Sequence, residues 1–480
     1  MRVLTPLQMY ECDKKATSDY NILPKTLMES AGFGCAKFIK DNFPKGKVAV
    51  VCGSGNNGGD GFVIARKLSL FGFTPTLVFV GNTEKFSDIT RINFEKCNNL
   101  PIKTNILNFY DFDMIVDAIF GIGFKGVINS KLSKVIQQIN NAPLDVVSID
   151  IPSGLNGLNG KTNMCVKANY TLVLAAYKYG HFMGQGKSFC GKLILIDIGI
   201  PSKVFEKFNA TLATGESIVF PKRFPTAHKG NYGKLAIVAG SEKYSGAAIL
   251  CCLAALNCGV GLAYLYHPKG MEHIFGASLI EPIKVAIDDN PKHLPKDIFE
   301  KDTLIIGCGF GKDRKELFET IVSKWKKPMV IDADGINILA HNEDILESLK
   351  RKEVLLTPHI GEFAKIVSVD VLSLLDDPIL YIKKFCKKFE ISVLLKNSTS
   401  VLCYKGKLTF ITKGNDGLAT GGSGDVLAGI IGSFLAQGMN MEQATISAAY
   451  TLGETAERLE KKFFTNAITP SRVIKNLFKK

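Results

Sequence analysis

The feature that most constrains the fold is one alternation that occurs twice along the chain. Short β-rich runs alternate with helical patterns, which calls for parallel sheets covered by helices rather than for hairpin-built sheets. In the first half the runs are 47–52, 74–80, 114–120, 145–150 and 170–176, with helical periodicity over 62–71 and 131–139. The pattern restarts at 234–241 and continues through an Ala-rich helix at 246–256. Further runs follow at 302–311, 327–335, 353–359 and 391–397, then a hairpin at 401–411 and a last helix at 425–438. Between the halves, residues 197–225 have poor periodicity and three prolines. A chain of 480 residues exceeds what one ordinary core holds. Two α/β domains are expected, 1–212 and 213–480.

The formal net charge is +14, but no run of five lysines occurs. A dispersed positive charge favours small anions over nucleic acid. The twelve cysteines sit in apolar segments such as that around Cys251-Cys252, without paired metal-ligand spacing. They read as reduced core residues of a cytoplasmic protein. The opening residues carry no apolar signal segment, and no apolar stretch is long enough to span a membrane.

After the first strand comes Gly53-Ser54-Gly55-Asn56-Asn57-Gly58-Gly59-Asp60-Gly61. It contains G-x-G-x-x-G between a strand and a helix, the form of a dinucleotide fingerprint. Asp60 would repel a pyrophosphate seated there, and the next strand lacks the acidic residue that holds a ribose. A bare strand-to-helix turn is the plainer alternative. Two more strand ends carry Asp117, followed by Gly121–Val127, and Asp150, within Ser148–Gly154. Parallel order brings all three loops to one edge. Each aspartate alone could be a helix cap; together they form an oxygen-rich cluster suited to a weakly held alkali cation, with a carboxylate left for proton transfer.

These motifs, GSGNNGGDG, VDAIFGIG and SIDIPSG, with TLMESAG before them, resemble the N-terminal domain of the bifunctional NAD(P)H-hydrate repair enzymes, over most of residues 1–210. The resemblance implies a Rossmann-like three-layer epimerase domain. Asn56, Asn57, Gly58, Gly59 and Asp60 would line the hydrate site with Gly121, Ile122, Gly123, Phe124, Lys125, Gly126 and Val127. Asn57, Asp117 and Ser153 would coordinate K+, and Asp150 would be the acid/base residue at the substrate.

In the second half, Gly421-Gly422-Ser423-Gly424-Asp425 runs straight into an apolar helix. Bare amides at a helix start bind phosphate, and a carboxylate beside them fits a base acting on an attacking hydroxyl. An aspartate that only caps the helix is the simpler alternative. No Walker-type G-x-x-x-x-G-K-[ST] occurs. GGSGD resembles the GGTGD-type motif of ribokinase-like folds. AHKGNYGKLAIVAGS, YSGAA, GCGFG and TPHIGEF extend the similarity to the ADP-dependent hydrate dehydratases, over almost all of 217–480. By that resemblance Ala247, Gly311 (or Gly309) and His359 would contact the hydrate. Lys396, Asn397, Ser398, Thr399 and Ser400 would hold the nucleotide with Gly424, and Asp425 would meet the substrate hydroxyl. Asn397 stands where the family commonly has Gly, Ser423 where it has Thr, and Cys308 and Ile360 where prolines are common.

The expected function is therefore repair of hydrated NADH and NADPH. The first domain would interconvert the R and S hydrates. The second would dehydrate the S form with ADP and Mg2+, releasing AMP and phosphate. No nucleic acid or membrane partner is expected, and a homo-oligomer is. The alternative is a ribokinase-like small-molecule kinase carrying a non-catalytic N-terminal binding module.

Overall fold

The computed structural model describes residues 1–104 and 109–479. The chain divides into two compact units, Met1–Ala210 and Thr211–Lys480.

The strands of the first unit are β1 (Val3–Leu4), β2 (Lys47–Cys52), β3 (Thr74–Phe79), β4 (Ile102–Lys103), β5 (Met114–Ala118), β6 (Asp145–Ile149), β7 (Tyr170–Leu174), β8 (Tyr177–Lys178) and β9 (Lys192–Ile196). Seven form one parallel sheet in the order β4-β3-β2-β5-β6-β7-β9. β1 and β8 pair separately. Central parallel strands are covered on both faces, so β2 and β5 are apolar nearly throughout. Asp117 breaks that rule as a fully buried carboxylate within β5. The chain runs outward from β2 through β3 to β4, then returns to place β5 on the other side of β2. The loops after β2 and β5 therefore diverge, and the crevice between them is where open α/β sheets take ligands.

The second unit's sheet contains β10 (Ala210–Leu212), β11 (Lys234–Val238), β12 (Leu262–Pro268), β13 (Ile283–Ile287), β14 (Thr303–Ile306), β15 (Met329–Ile331), β16 (Val354–Leu356), β17 (Ser392–Leu395), β18 (Ser400–Tyr404) and β19 (Lys407–Ile411). Their order is β10-β19-β18-β17-β16-β15-β14-β11-β12-β13. The pairs β17–β18 and β18–β19 are antiparallel, as the expected hairpin requires. Strand order reverses again between β11 and β14, so this unit has its own crevice, beside residues 239–245 and 307–311. Helix Ser245–Asn257 crosses helix Ser423–Ala436 closely: a Cβ on Gly429 would sit 2.3 Å from the Cys251 carbonyl oxygen.

Two expectations are corrected. The first glycine-rich run is not a loop followed by a helix at 62; the helix spans Asn56–Leu70, and Asn56 to Gly61 are its first turns. Glycine's weak helix propensity hides this in the sequence. A Cβ on Gly58 would lie 2.0 Å from the Gly53 carbonyl oxygen, so the helix start presses on the strand end and only glycine fits. Nor is Ser423–Ala436 the last helix, because Met441–Glu460 and Pro470–Asn476 follow. The former buries Thr445, Ser447, Thr451 and Thr455 among Met441, Ile446, Tyr450, Leu452 and Leu459, so hydroxylic residues interrupt its apolar pattern. No helix of the described residues is long and apolar enough to cross a membrane.

Candidate active sites

A cavity of about 1710 Å³ opens at the first unit's crevice. Of the expected residues, Asn56, Asn57, Asp60, Gly121 to Lys125 and Asp150 line it. Gly58 and Gly59 do not; they face inward, Gly58 against the Gly53 backbone and Gly59 against Met28. Gly126 and Val127 line a smaller neighbouring cavity of about 630 Å³.

Asp117 lies beneath this surface. Its carboxylate accepts the Ser153 hydroxyl, the Ser153 amide at 2.9 Å, the Ser148 hydroxyl at 2.8 Å and the Ile119 amide at 3.3 Å. Burial pushes its pKa up and these hydrogen bonds pull it down. The Phe120 amide donates to the Ser153 hydroxyl at 2.8 Å, and the Asn57 amide donates to the Phe120 carbonyl at 2.9 Å. Asn57, Asp117 and Ser153 are thus joined through one backbone residue. Their donor chemistry, oxygens with a single formal charge, suits a large monovalent cation better than Mg2+.

Asp150 follows β6 with φ of 64°, a left-handed conformation unusual for a residue with a side chain. Its amide donates to the Leu172 carbonyl at 2.8 Å. Its own carbonyl accepts Nε2–H of the buried His181 at 2.8 Å. The His181 Nδ1 accepts the Lys178 amide at 3.1 Å, which assigns the ring proton to Nε2. Burial and the Lys178 charge lower the His181 pKa to about 4, so the ring is neutral. The Asp150 carboxylate forms an ion pair with Lys178, a lysine without exposed surface, whose ammonium also donates to the Leu174 carbonyl at 2.8 Å. Sequence reasoning missed Lys178 and His181. They sit 28 and 31 residues after Asp150, on a segment that only the folded sheet brings back, and a lysine among tyrosines reads as surface.

In the second unit, Asp425 lies in the first turn of helix Ser423–Ala436, after Gly422 with φ of 99°. Asp332, just past β15, is 1% exposed, and its Oδ1 accepts Lys396 Nζ at 2.8 Å. A Cβ on Gly424 would lie 3.1 Å from that ammonium, so Lys396, Asp332, Gly424 and Asp425 share one spot. Cys308 Sγ and carboxylate oxygens of Asp332 and Asp425 lie within 4.8 Å of one another. Burial and the charge of Asp332 raise the Asp425 pKa to about 6, against the Cys308 thiol and Lys396, which lower it. Burial acts against the Lys396 charge, but Asp332 and Glu362 more than offset it and raise its pKa. Asp332 escaped notice because D-A-D-G gives no spacing that separates a site residue from a cap. Ala247 and Gly309 lie against each other, and the Gly311 amide donates to Asp334 at 2.9 Å. His359 caps helix Ile360–Ile366, with Nδ1 accepting the Gly361 amide at 3.0 Å. Asn397 and Ser398 are exposed. Thr399 Oγ1 and Ser423 Oγ are buried without a hydrogen-bond partner. The Ser423 hydroxyl lies in the first turn of the glycine-rich helix start, where bare amides can meet an anion.

The profile of the family described as "NAD(P)H-hydrate dehydratase" matches residues 235–479, and that described as "YjeF-related protein N-terminus" matches residues 24–180. The protein named bifunctional NAD(P)H-hydrate repair enzyme Nnr in Moorella thermoacetica is 32% identical over an alignment of 495 positions that covers 96% of this chain and 93% of that one. The chain belongs to the bifunctional NAD(P)H-hydrate repair enzyme family. Members of that family in Dictyoglomus turgidum and Escherichia coli are 31% and 30% identical, over 99% and 94% of this chain and 98% and 88% of their own lengths. Among solved structures, a ribokinase-like superfamily protein of Enterococcus faecalis matches with a TM-score of 0.51 at 22% identity, covering 56% of this chain and 94% of that one. That likeness shows a ribokinase-like fold.

Proposed function

We propose that the chain repairs hydrated NADH and NADPH in two steps. Residues 1–212 interconvert the R and S hydrates, and residues 213–480 dehydrate the S hydrate with ADP, forming AMP and phosphate. Asp425 carries this reading: a carboxylate with its pKa near 6, at a glycine-rich helix start, beside the ammonium of Lys396. Hydroxide leaves poorly. Asp425 removes the proton of the ring hydroxyl as that oxygen attacks the terminal phosphorus of ADP, and AMP departs. The C–O bond then breaks with phosphate as leaving group, driven by the ring nitrogen, and loss of a ring proton restores NAD(P)H. Lys396, with Asn397 to Ser400 and Gly424, holds the nucleotide; Ala247, Gly311 and His359 hold the hydrate. Mg2+ carried by the nucleotide would neutralise its phosphates.

In the first unit Asp150 is the acid/base residue. Asn57, Asp117 and Ser153 would hold K+, which ties the three strand ends together. An anomalous scatterer replacing K+ should appear between them at long oxygen distances; an empty position in potassium-containing crystals would contradict the assignment. A cytoplasmic location is consistent with twelve cysteines that are all free.

The test is incubation of the purified protein with an equilibrated R/S hydrate mixture and ADP. Complete recovery of NADH absorbance with one orthophosphate per NADH is expected. A stable phosphorylated hydrate would instead point to kinase chemistry.

A further inference from the structure

The proposed epimerisation uses Asp150 alone, yet the cavity holds more carboxyl groups than one. Asp13, from helix Pro6–Tyr20, and Asp60, from helix Asn56–Leu70, line it together with Asp150 and Lys178. Asp60 is 8% exposed. Neither its carboxyl nor that of Asp13 makes a hydrogen bond or ion pair among the described residues, whereas Asp150 is held by Lys178 and by the Leu174 amide at 3.2 Å. A buried carboxyl facing a cavity without a partner is unfavourable unless a ligand or a proton meets it.

We propose that Asp13 is the second acid/base residue of this site, the proton donor that works with Asp150 on the bound hydrate. The proposal rests on the epimerase reading above. Reversible ionisation at the hydroxyl-bearing carbon needs one acid and one base. The Asp13 carboxyl gives its proton to the hydroxyl oxygen. The C–O bond breaks with its electron pair on oxygen, water leaves, and the ring-nitrogen lone pair forms C=N. Water then adds to the opposite face of that carbon, the C=N pair returns to nitrogen, and the proton released by the added water passes to Asp150. Proton return from Asp150 to Asp13 through solvent resets the site, so one water leaves, one enters and no other reagent is consumed.

The electrostatics agree with this division. Burial raises the Asp13 pKa to about 6; Lys178 pulls it down and Asp150 pushes it up. Asp60 is raised well above the usual carboxylate range by burial and by Asp150 and Asp13, with Lys178 acting against them. Tyr10 is raised too, by burial and then by the same two aspartates. Lys14, Lys85, Lys125 and Lys131 also line the cavity and add positive charge to its wall.

The test uses the full-length protein and a single purified hydrate epimer without ADP, following the R/S ratio between about pH 5 and 8 above the uncatalysed rate. A donor must be protonated, so the wild-type rate should fall as pH rises through about 6. Asp13→Asn should lower the rate by about 10²-fold or more and abolish that limb. Asp13→Glu, which keeps the acid, should recover the limb. ADP-dependent dehydration of the S hydrate should be unchanged in both. An Asp13→Asn protein within about twofold of wild type would overturn the proposal, as would a folded Asp13→Glu protein as inactive as Asp13→Asn. If the wild type does not epimerise at all, the epimerase reading fails instead.

Discussion

Asp425 and Asp150 face the same difficulty, a carboxylate needed where burial disfavours its charge, and resolve it differently. Asp425 tolerates a pKa near 6, whereas Asp150 has a buried ammonium beside it. Asp425 must be ionised to accept a proton, so kcat/KM for dehydration should climb with pH up to about 6 and then level. Asp332→Asn removes a negative neighbour that raises this pKa, and frees Lys396 to lower it further. The limb should move to lower pH, and an unmoved limb would detach Asp332 from the base. Asp425→Asn should reduce dehydration by about two to four orders of magnitude and leave epimerisation intact, as read by NADH recovery and by the R/S ratio. Lys178→Met leaves Asp150 buried without its counter-charge. Removing one partner of a buried pair costs about 3–5 kcal/mol. Denaturant unfolding should register that loss together with lost epimerisation and normal dehydration; unchanged stability would show that the pair holds nothing.

Elements were legible in the sequence where side-chain pattern alone sets them. The central strands β2, β5, β11 and β14 are apolar because both faces are covered, and each expected run contains the observed strand. Strand β9, the half-exposed edge strand, and helix Met441–Glu460, whose buried face interleaves Thr and Ser with Ile446, Tyr450, Leu452 and Leu459, carry a weaker pattern and were missed. The site followed the same division. Residues inside glycine- and aspartate-bearing motifs, Asn57, Asp117, Ser153, Asp150 and Asp425, could be named from the chain. Asp13, Lys178, His181 and Asp332 could not, since their roles come from neighbours supplied by other segments. The helix pair Ser245–Asn257 and Ser423–Ala436 gives an element-scale test. Gly429→Ala would set a methyl against the Cys251 carbonyl oxygen and 2.9 Å from Ala254 Cβ. Backbone cannot yield as a side-chain tip can, so the helices must separate at a cost of about 1–3 kcal/mol. A lowered unfolding midpoint and a weakened dehydratase are expected, because Asp425 rides on the displaced helix. An unchanged midpoint would mean the packing relaxes freely.

At the scale of the whole molecule, each unit has its own sheet and its own apolar core: Leu4 to Phe208 supply the first, Ala213 to Leu477 the second. The halves should therefore work apart. The cut must respect the strand Ala210–Leu212, which edges the second sheet. A chain beginning at Asn209 keeps that strand, and should dehydrate about half of an equal R/S mixture quickly and then stall. Equal consumption of both epimers by this fragment would remove epimerisation from the first half. The reversal of strand order has a further consequence, visible while the chain is being made. Because each crevice lies between strands distant in sequence, a site exists only after its last contributor has left the ribosome. The first is complete once Ile198, the last residue lining its cavity, emerges. The second waits for Asp425, long after its opening strand β11 has appeared. Domains form in order of synthesis, so a nascent chain gains the isomerase well before it gains the dehydratase, and a message cut short ahead of codon 425 yields a protein that shuffles hydrates without repairing any.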